Sequence, residues 1–175
     1  MFITIVRVVA GLAAVAAVLW LAFTVSFRTK FRPVQNAIRR TNRKVLNPRQ
    51  LRRAGKPGAW ASVVRHVGRS SGTAYRTPVV TVPTPDGFVI ALPYGPGVDW
   101  ARNVIAAGSA TIEHDGRTIR VDAPAVVSAA EANPFFPPGA QRTHRLYGVD
   151  DFLLLRRSGE PETASSEVQR RAADV

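Results

Sequence analysis

Between residues 60 and 127 the apolar runs, save one at 100–107, are cut by turn signals before they are long enough to hold a helix together. The signals are Gly68-Arg69-Ser70-Ser71-Gly72, Pro85-Asp86-Gly87, Gly95-Pro96-Gly97 and Asp115-Gly116. The runs between them, 60–67, 75–82, 88–94, 110–114 and 117–127, are rich in valine, isoleucine and threonine. Such side chains pack well on a pleated surface and lose rotamer freedom in a helix. Extended segments with connections this short pair as antiparallel hairpins, and Asp115-Gly116 is the strongest such turn, because both residues tolerate positive φ. One helix interrupts the series, with Asp99 positioned as N-cap, 100–107 as body and Gly108 as stop. The expectation is a mainly β, α+β domain with four to six strands around one helix.

Past the last hairpin the pattern weakens. Ser128 and Glu131 have the spacing of a capping box, so a short helix is expected before Pro134 ends it. The stretch 137–157 fits helix or strand equally. Residues 158–175 are polar with little apolar content and are expected to form a disordered tail. What remains for a core is one domain, over 58–157.

The chain has no cysteine, which excludes disulfides, thiolate metal sites and a cysteine nucleophile. Its three histidines, His66, His114 and His144, lack the spacing of metal ligands on one helix face, and no metal site is assigned. Redox chemistry in such a chain would need a bound cofactor. Arg69 and Arg76 flank the 68–72 turn, and the small Ser70, Ser71 and Gly72 let backbone N–H groups approach a ligand closely. That combination suits a phosphate or carboxylate. Acidic residues are absent before Asp86, which favours ligand contact over charge pairing for both arginines.

Two familiar patterns fail on their context. Gly68 to Gly72 also fits G-x-S-x-G, which would make Ser70 a nucleophile, but that elbow needs a helix after it and Thr73-Ala74-Tyr75-Arg76-Thr77-Pro78 cannot form one. Gly95-Pro96-Gly97 lacks a third glycine and has no N–H at Pro96, so it is not a dinucleotide fingerprint.

The run H-V-G-R-S-S-G-T-A-Y-R-T-P-V-V, followed by L-P-Y-G-P-G-V-D-W-A-R-N-V, resembles the deazaflavin-dependent nitroreductase family, split β-barrel oxidoreductases that use coenzyme F420. The match covers about 60–155. It implies an FMN-binding-like split barrel with flanking short helices. It also implies that Arg69, Ser71, Gly72 and Arg76 lie along the phosphate and tail of the deazaflavin. Thr77, Pro78 and Val79 would run beside the ring, with Trp100 and Asn103 closing the pocket. Ser70, in the same cofactor turn, stands where many relatives carry a second basic residue, so FMN with its single phosphate is kept as the alternative. The implied reaction is hydride transfer from the reduced deazaflavin to a quinone or nitro-type acceptor. Tyr147 and Tyr94 are the candidates for passing the accompanying proton. A reading of a different class is a noncatalytic module that holds cofactor or lipid at a membrane.

Charge is divided unevenly: residues 1–85 carry fifteen Lys/Arg and no Asp/Glu, and residues 86–175 carry nine and twelve. A basic N-terminal half points to an anionic partner. Residues 8–27 are uncharged and rich in Ala, Val and Leu, enough to cross a bilayer, so 3–27 is expected to be a transmembrane helix. The basic flank in 28–57, with Arg28, Lys30, Arg32, Arg39 and Arg40 among others, then puts the catalytic domain in the cytoplasm of a single-pass membrane protein. The same flank is expected to rest as a helix on anionic membrane lipid. Nucleic acid is not expected, because the basic run lacks interleaved aromatics. Homo-oligomerisation stays open.

Overall fold

The computed structural model describes residues 2–28 and 47–159. In chain order the elements are helix α1 (Phe2–Arg28), a short helix α2 (Asn47–Gln50), and strands β1 (Ser62–Val67), β2 (Ala74–Val79), β3 (Thr81–Thr84) and β4 (Gly87–Ala91). Helix α3 (Asp99–Ala107) precedes β5 (Ser109–His114) and β6 (Arg117–Ser128). A short helix α4 (Ala129–Ala132) runs into a 3-10 turn (Asn133–Phe135), and α5 (Pro138–Tyr147) and β7 (Asp151–Arg157) close the chain.

All seven strands form one sheet in the order β2-β1-β5-β6-β7-β4-β3, with every neighbouring pair antiparallel. This order forces the shape. β2 and β3 occupy opposite edges, yet only Val80 separates them in sequence. One residue cannot span a flat seven-stranded sheet, so the sheet curls until its two edges meet at Val80. The result is a barrel-like sheet with a seam, as expected of a split barrel. The single strand expected over 75–82 is corrected to two strands, and the four to six strands to seven. Pro78 and Pro83 lie on these two edge strands, where a missing N–H costs least.

Buried polar groups fasten the seam. Ser62 Oγ on β1 lies 2.6 Å from Thr81 Oγ1 on β3 and 2.7 Å from His114 Nδ1 on β5. Ser62 is 1% exposed, so each of these groups depends on the others for its hydrogen bonds.

Alternation along β4 assigns the two faces of the sheet. Phe88 and Ile90 point into an inner cluster with Val64, Ile112, Leu153 and Leu155, which α3 plugs with Ala101 and Val104. Val89 points outward, where Phe152, Phe136, Ala132 and Val149 form a second cluster under α4 and α5. Full burial of each large apolar side chain contributes roughly 1.5–3 kcal/mol. On the outside of β1, Leu51, Ala54 and Ala61 cover Val63, and Gly116 N–H donates to Gly55 O at 2.7 Å.

Several local expectations match. Asp115 and Gly116 turn with φ of 47° and 75°, Gly108 ends α3 at φ 68°, and Ser128 with Glu131 forms the capping box of α4. Others are corrected. The N-cap of α3 is Val98, and Asp99 is instead its first residue, the acid of the first turn. The strand over 88–94 ends at Ala91, where Leu92 N–H crosses to Asp151 O and Gly95 N–H folds back to Leu92 O. The ambiguous 137–157 resolves into α5 and β7, split by Gly148 in the left-handed conformation.

Among the described residues no helix is long and apolar enough to cross a membrane. The stretch expected to span, 3–27, is helical within α1. The basic segment at 29–46 and the tail from 160 onward lie outside the described residues.

Candidate functional site

The turn between β1 and β2 is closed by its own backbone. Gly68 N–H donates to Thr73 O at 2.8 Å, Gly72 N–H to Gly68 O at 2.9 Å, and Thr73 N–H to Ser71 Oγ at 3.3 Å. Gly72 has φ of 66°, and a Cβ on Gly68 would meet the Tyr75 ring at 2.9 Å, so both glycines are required by geometry. The backbone N–H groups of Ser70 and Ser71 have no protein acceptor among the described residues. Two adjacent exposed N–H groups in a tight turn make a small anion-accepting concavity.

Arg69 is held beside them. Asn103 Oδ1, on α3, accepts from the Arg69 backbone N–H at 3.2 Å and from its guanidinium at 2.9 Å, and Asp99 Oδ1 lies 3.4 Å from the same guanidinium. Asn103 is 5% exposed. With its oxygen fixed by two donors, its amide nitrogen must face His66 Nδ1, 3.2 Å away. An amide N–H needs an acceptor there, so the proton of a neutral His66 sits on Nε2 and is donated to Thr77 Oγ1 at 3.1 Å. Burial holds the His66 pKa below the ordinary imidazole value, which keeps it in this acceptor form. The His66 ring stacks on Tyr75 with centroids 5.6 Å apart. One chain of contacts thus runs from Asp99 through Arg69, Asn103 and His66 to Thr77, tying α3, the turn, β1 and β2 together.

The two arginines expected to grip one ligand take partners on different elements. Arg76 pairs with Glu113 of β5 at 2.9 Å, on the face it shares with Arg65 opposite it in the ladder. The expectation that neither arginine has an acid nearby is therefore corrected: Asp99 and Glu113, 30 and 37 residues further along, fold against them. Ser70, Ser71 and Gly72 are exposed at the turn, and Thr77, Pro78 and Val79 are half-buried along β2. Val79, Trp100 and Tyr94 pack on the inner cluster, whereas Tyr147 packs on the outer one. The sheet therefore lies between the two tyrosines.

Sequence reasoning missed His66 as the centre of this network. A signal was present, since His66 follows Val64 on the inward face of β1 and a histidine there must find polar partners. A concavity of about 370 Å³ lies on the outside of β1, β5 and β6, and none of the residues expected to bind cofactor lines it. Among the described residues no three His, Asp or Glu side chains converge to hold a metal.

No family model matches the chain, and no curated protein matches it. Among solved structures it is similar to an F420-H2-dependent reductase, FDR-A, at 14% identity over 54% of this chain and 92% of that one, with a TM-score of 0.41. A second, named F420 reductase, has 10% identity over 62% and 92%, also at 0.41. HutZ, a heme storage protein from Vibrio cholerae, matches equally well at 12% identity over 63% and 85%, TM-score 0.41. Scores of this size assign no chemistry.

Proposed function

We propose that this protein is a split-barrel oxidoreductase that binds coenzyme F420 at the β1–β2 turn and delivers its hydride to a quinone or nitro-type acceptor. The observation that carries the reading is the turn itself, where the unpaired N–H groups of Ser70 and Ser71 stand beside an Arg69 anchored by Asn103. An anionic group fits there. The Arg69–Asp99 pair is long, at 3.4 Å, and Asp99 is 64% exposed, so a phosphate competes with it readily.

The family resemblance over 60–155 supports the ring side of the site, with Thr77, Pro78 and Val79 along the ring and Trp100 at its end. When bound, a reduced deazaflavin supplies a hydride. The chain's own residues hold the phosphate, orient the ring along β2 and keep water from it with Val79 and Trp100. Tyr94, on the same side of the sheet as those two, is assigned the passage of the accompanying proton. FMN is the second reading, favoured by one observation: with Arg76 engaged by Glu113, one guanidinium remains at the turn, which suits a single phosphate.

The proposal includes a membrane-associated location, with the barrel on the cytoplasmic side near anionic lipid and a lipid-soluble acceptor. Its support is α1, where Leu12, Val15, Val18, Leu19, Trp20 and Leu21 are each more than half exposed and need an apolar cover. Flotation of the full chain with liposomes containing anionic lipid tests this, and protein left at the bottom of the gradient contradicts it.

The cofactor test is parallel fluorescence titration of the full chain, in detergent, with F420 and with FMN. Tighter F420 binding followed by quinone reduction upholds the reading, and tighter FMN binding moves it to the alternative. Folded protein that binds neither overturns it, and binding without turnover leaves a noncatalytic module.

A further inference from the structure

We propose that the outer face of β1, β5 and β6 carries a second binding site, for a small organic anion with an apolar body. The ladder places Arg65, Thr111 and Arg120 side by side across three strands, and Arg76 extends the row onto β2. Strand spacing puts Arg65 and Arg120 about 10 Å apart at the backbone, close enough for both guanidiniums to converge on one anion above Thr111.

Charge on this face is not balanced from within. Glu113 is the one carboxylate paired there among the described residues, and Arg76 holds it at 2.9 Å. Arg65 reaches it only at 3.5 Å and keeps donors to spare. Arg120 has no side-chain partner among the described residues. Asp122, two residues further along β6, forms no ion pair with it. Arg65 and Arg76 face each other on neighbouring strands with Arg120 one strand beyond Thr111, and like charges so placed repel one another unless an anion lies among them.

The concavity supplies the rest of the recognition. Its volume of about 370 Å³ is within the range of small-molecule sites. Thr111 and Thr118 bring hydroxyl donors to the basic end, while Val67, 49% exposed, and Ala107 form an apolar wall at the other, where Ser109 and Asp122 make its polar edge. Ala107 is the last residue of α3, and the carbonyl end of a helix repels negative charge. The anionic group therefore lies at Arg65 and Arg120 and the apolar body at Val67. None of these residues belongs to the β1–β2 turn, so this site stands or falls independently of the cofactor.

The test is calorimetric titration of the full chain in detergent with phenyl phosphate, alongside benzyl alcohol and inorganic phosphate. Saturable binding of phenyl phosphate is expected, weaker for inorganic phosphate and absent for benzyl alcohol. Arg120→Gln is expected to weaken it about tenfold or more, the usual effect of losing a charge-assisted hydrogen bond. Thr111→Val samples the same row should Arg120→Gln disturb folding, which a thermal melt reveals. The titrations are run in the Arg69→Ala background as well, so that phosphate binding at the β1–β2 turn is counted separately. No saturable binding in the Arg69→Ala background, or parent-like binding by both Arg120→Gln and Thr111→Val, would each overturn the proposal. So would anionic vesicles or duplex DNA binding through Arg120 while phenyl phosphate does not, since the face would then serve a macromolecular surface.

Discussion

Asn103 accepts two hydrogen bonds from Arg69, one from its backbone N–H at 3.2 Å and one from its guanidinium at 2.9 Å. Through that pair α3, whose inward face plugs the inner cluster, sets both the path of the β1–β2 turn and the direction of its arginine. The core thus fixes the turn in advance, so that a ligand bound there would cost it little freedom.

Asn103→Ala removes the acceptor of both donors and the donor to His66. An unsatisfied buried polar group costs about 1–3 kcal/mol, so a destabilisation near 2 kcal/mol is expected in chemical denaturation. Backbone amide exchange at Arg69 should quicken with it. Unchanged exchange would mean that the turn holds itself.

Protonation of His66 is incompatible with the network, because its Nδ1 would then face the Asn103 amide with donor against donor. Burial lowers the pKa of His66 and also of His144, whose Nδ1 lies 3.2 Å from Asn133 Oδ1. Their folded values lie below the unfolded value of about 6.5, so the unfolded chain takes up protons first as pH falls. The contribution is complete above about pH 6.5, declines as pH falls below it, and levels off under the folded values. Urea unfolding at pH 7.5, 6.5 and 5.5 should show this decline, with His66→Gln and His144→Gln each removing part of the slope.

Ser62 and Thr81 close the seam through a 2.6 Å contact that both share with His114. Ser62→Ala and Thr81→Val should each cost about 1–2 kcal/mol, and the double variant less than their sum. Strict additivity in the cycle would show that the seam is held by apolar packing alone.

Gly87 opens β4 against β7, and a Cβ there would collide with Leu155 O and crowd Arg156 Cα at 2.9 Å. Backbone atoms cannot swing aside, so Gly87→Ala is expected to cost about 1–3 kcal/mol, visible as a lowered melting temperature. Gly97→Ala, which meets nothing within 4 Å, is the matched control.

How far the sequence foretold this molecule follows the range of the interactions involved. The Asp115-Gly116 hairpin, the Gly108 stop and the Ser128–Glu131 cap rest on neighbours a few residues apart, and all were legible. The break at Val80 was not, because a run of β-branched residues without a glycine carries no mark of a change of sheet edge; only the seven-strand order reveals it. α5 had signals that were passed over, Pro138 in its first turn and Gly148 at its end. Arg76 is the instructive case within the site. Its local sequence is free of acids, yet Glu113 reaches it from two strands away, across β1.

The most direct measurement is cofactor affinity by fluorescence titration of the full chain and of two variants, Arg69→Ala and Arg76→Ala. Arg69, next to Ser70 and Ser71 in the turn, is held by Asn103 and Asp99, while Arg76 is engaged by Glu113. The expected result is a loss of about tenfold or more in Arg69→Ala with Arg76→Ala close to the parent chain. Equal loss in both variants, or none in either, would contradict a cofactor phosphate seated at the β1–β2 turn.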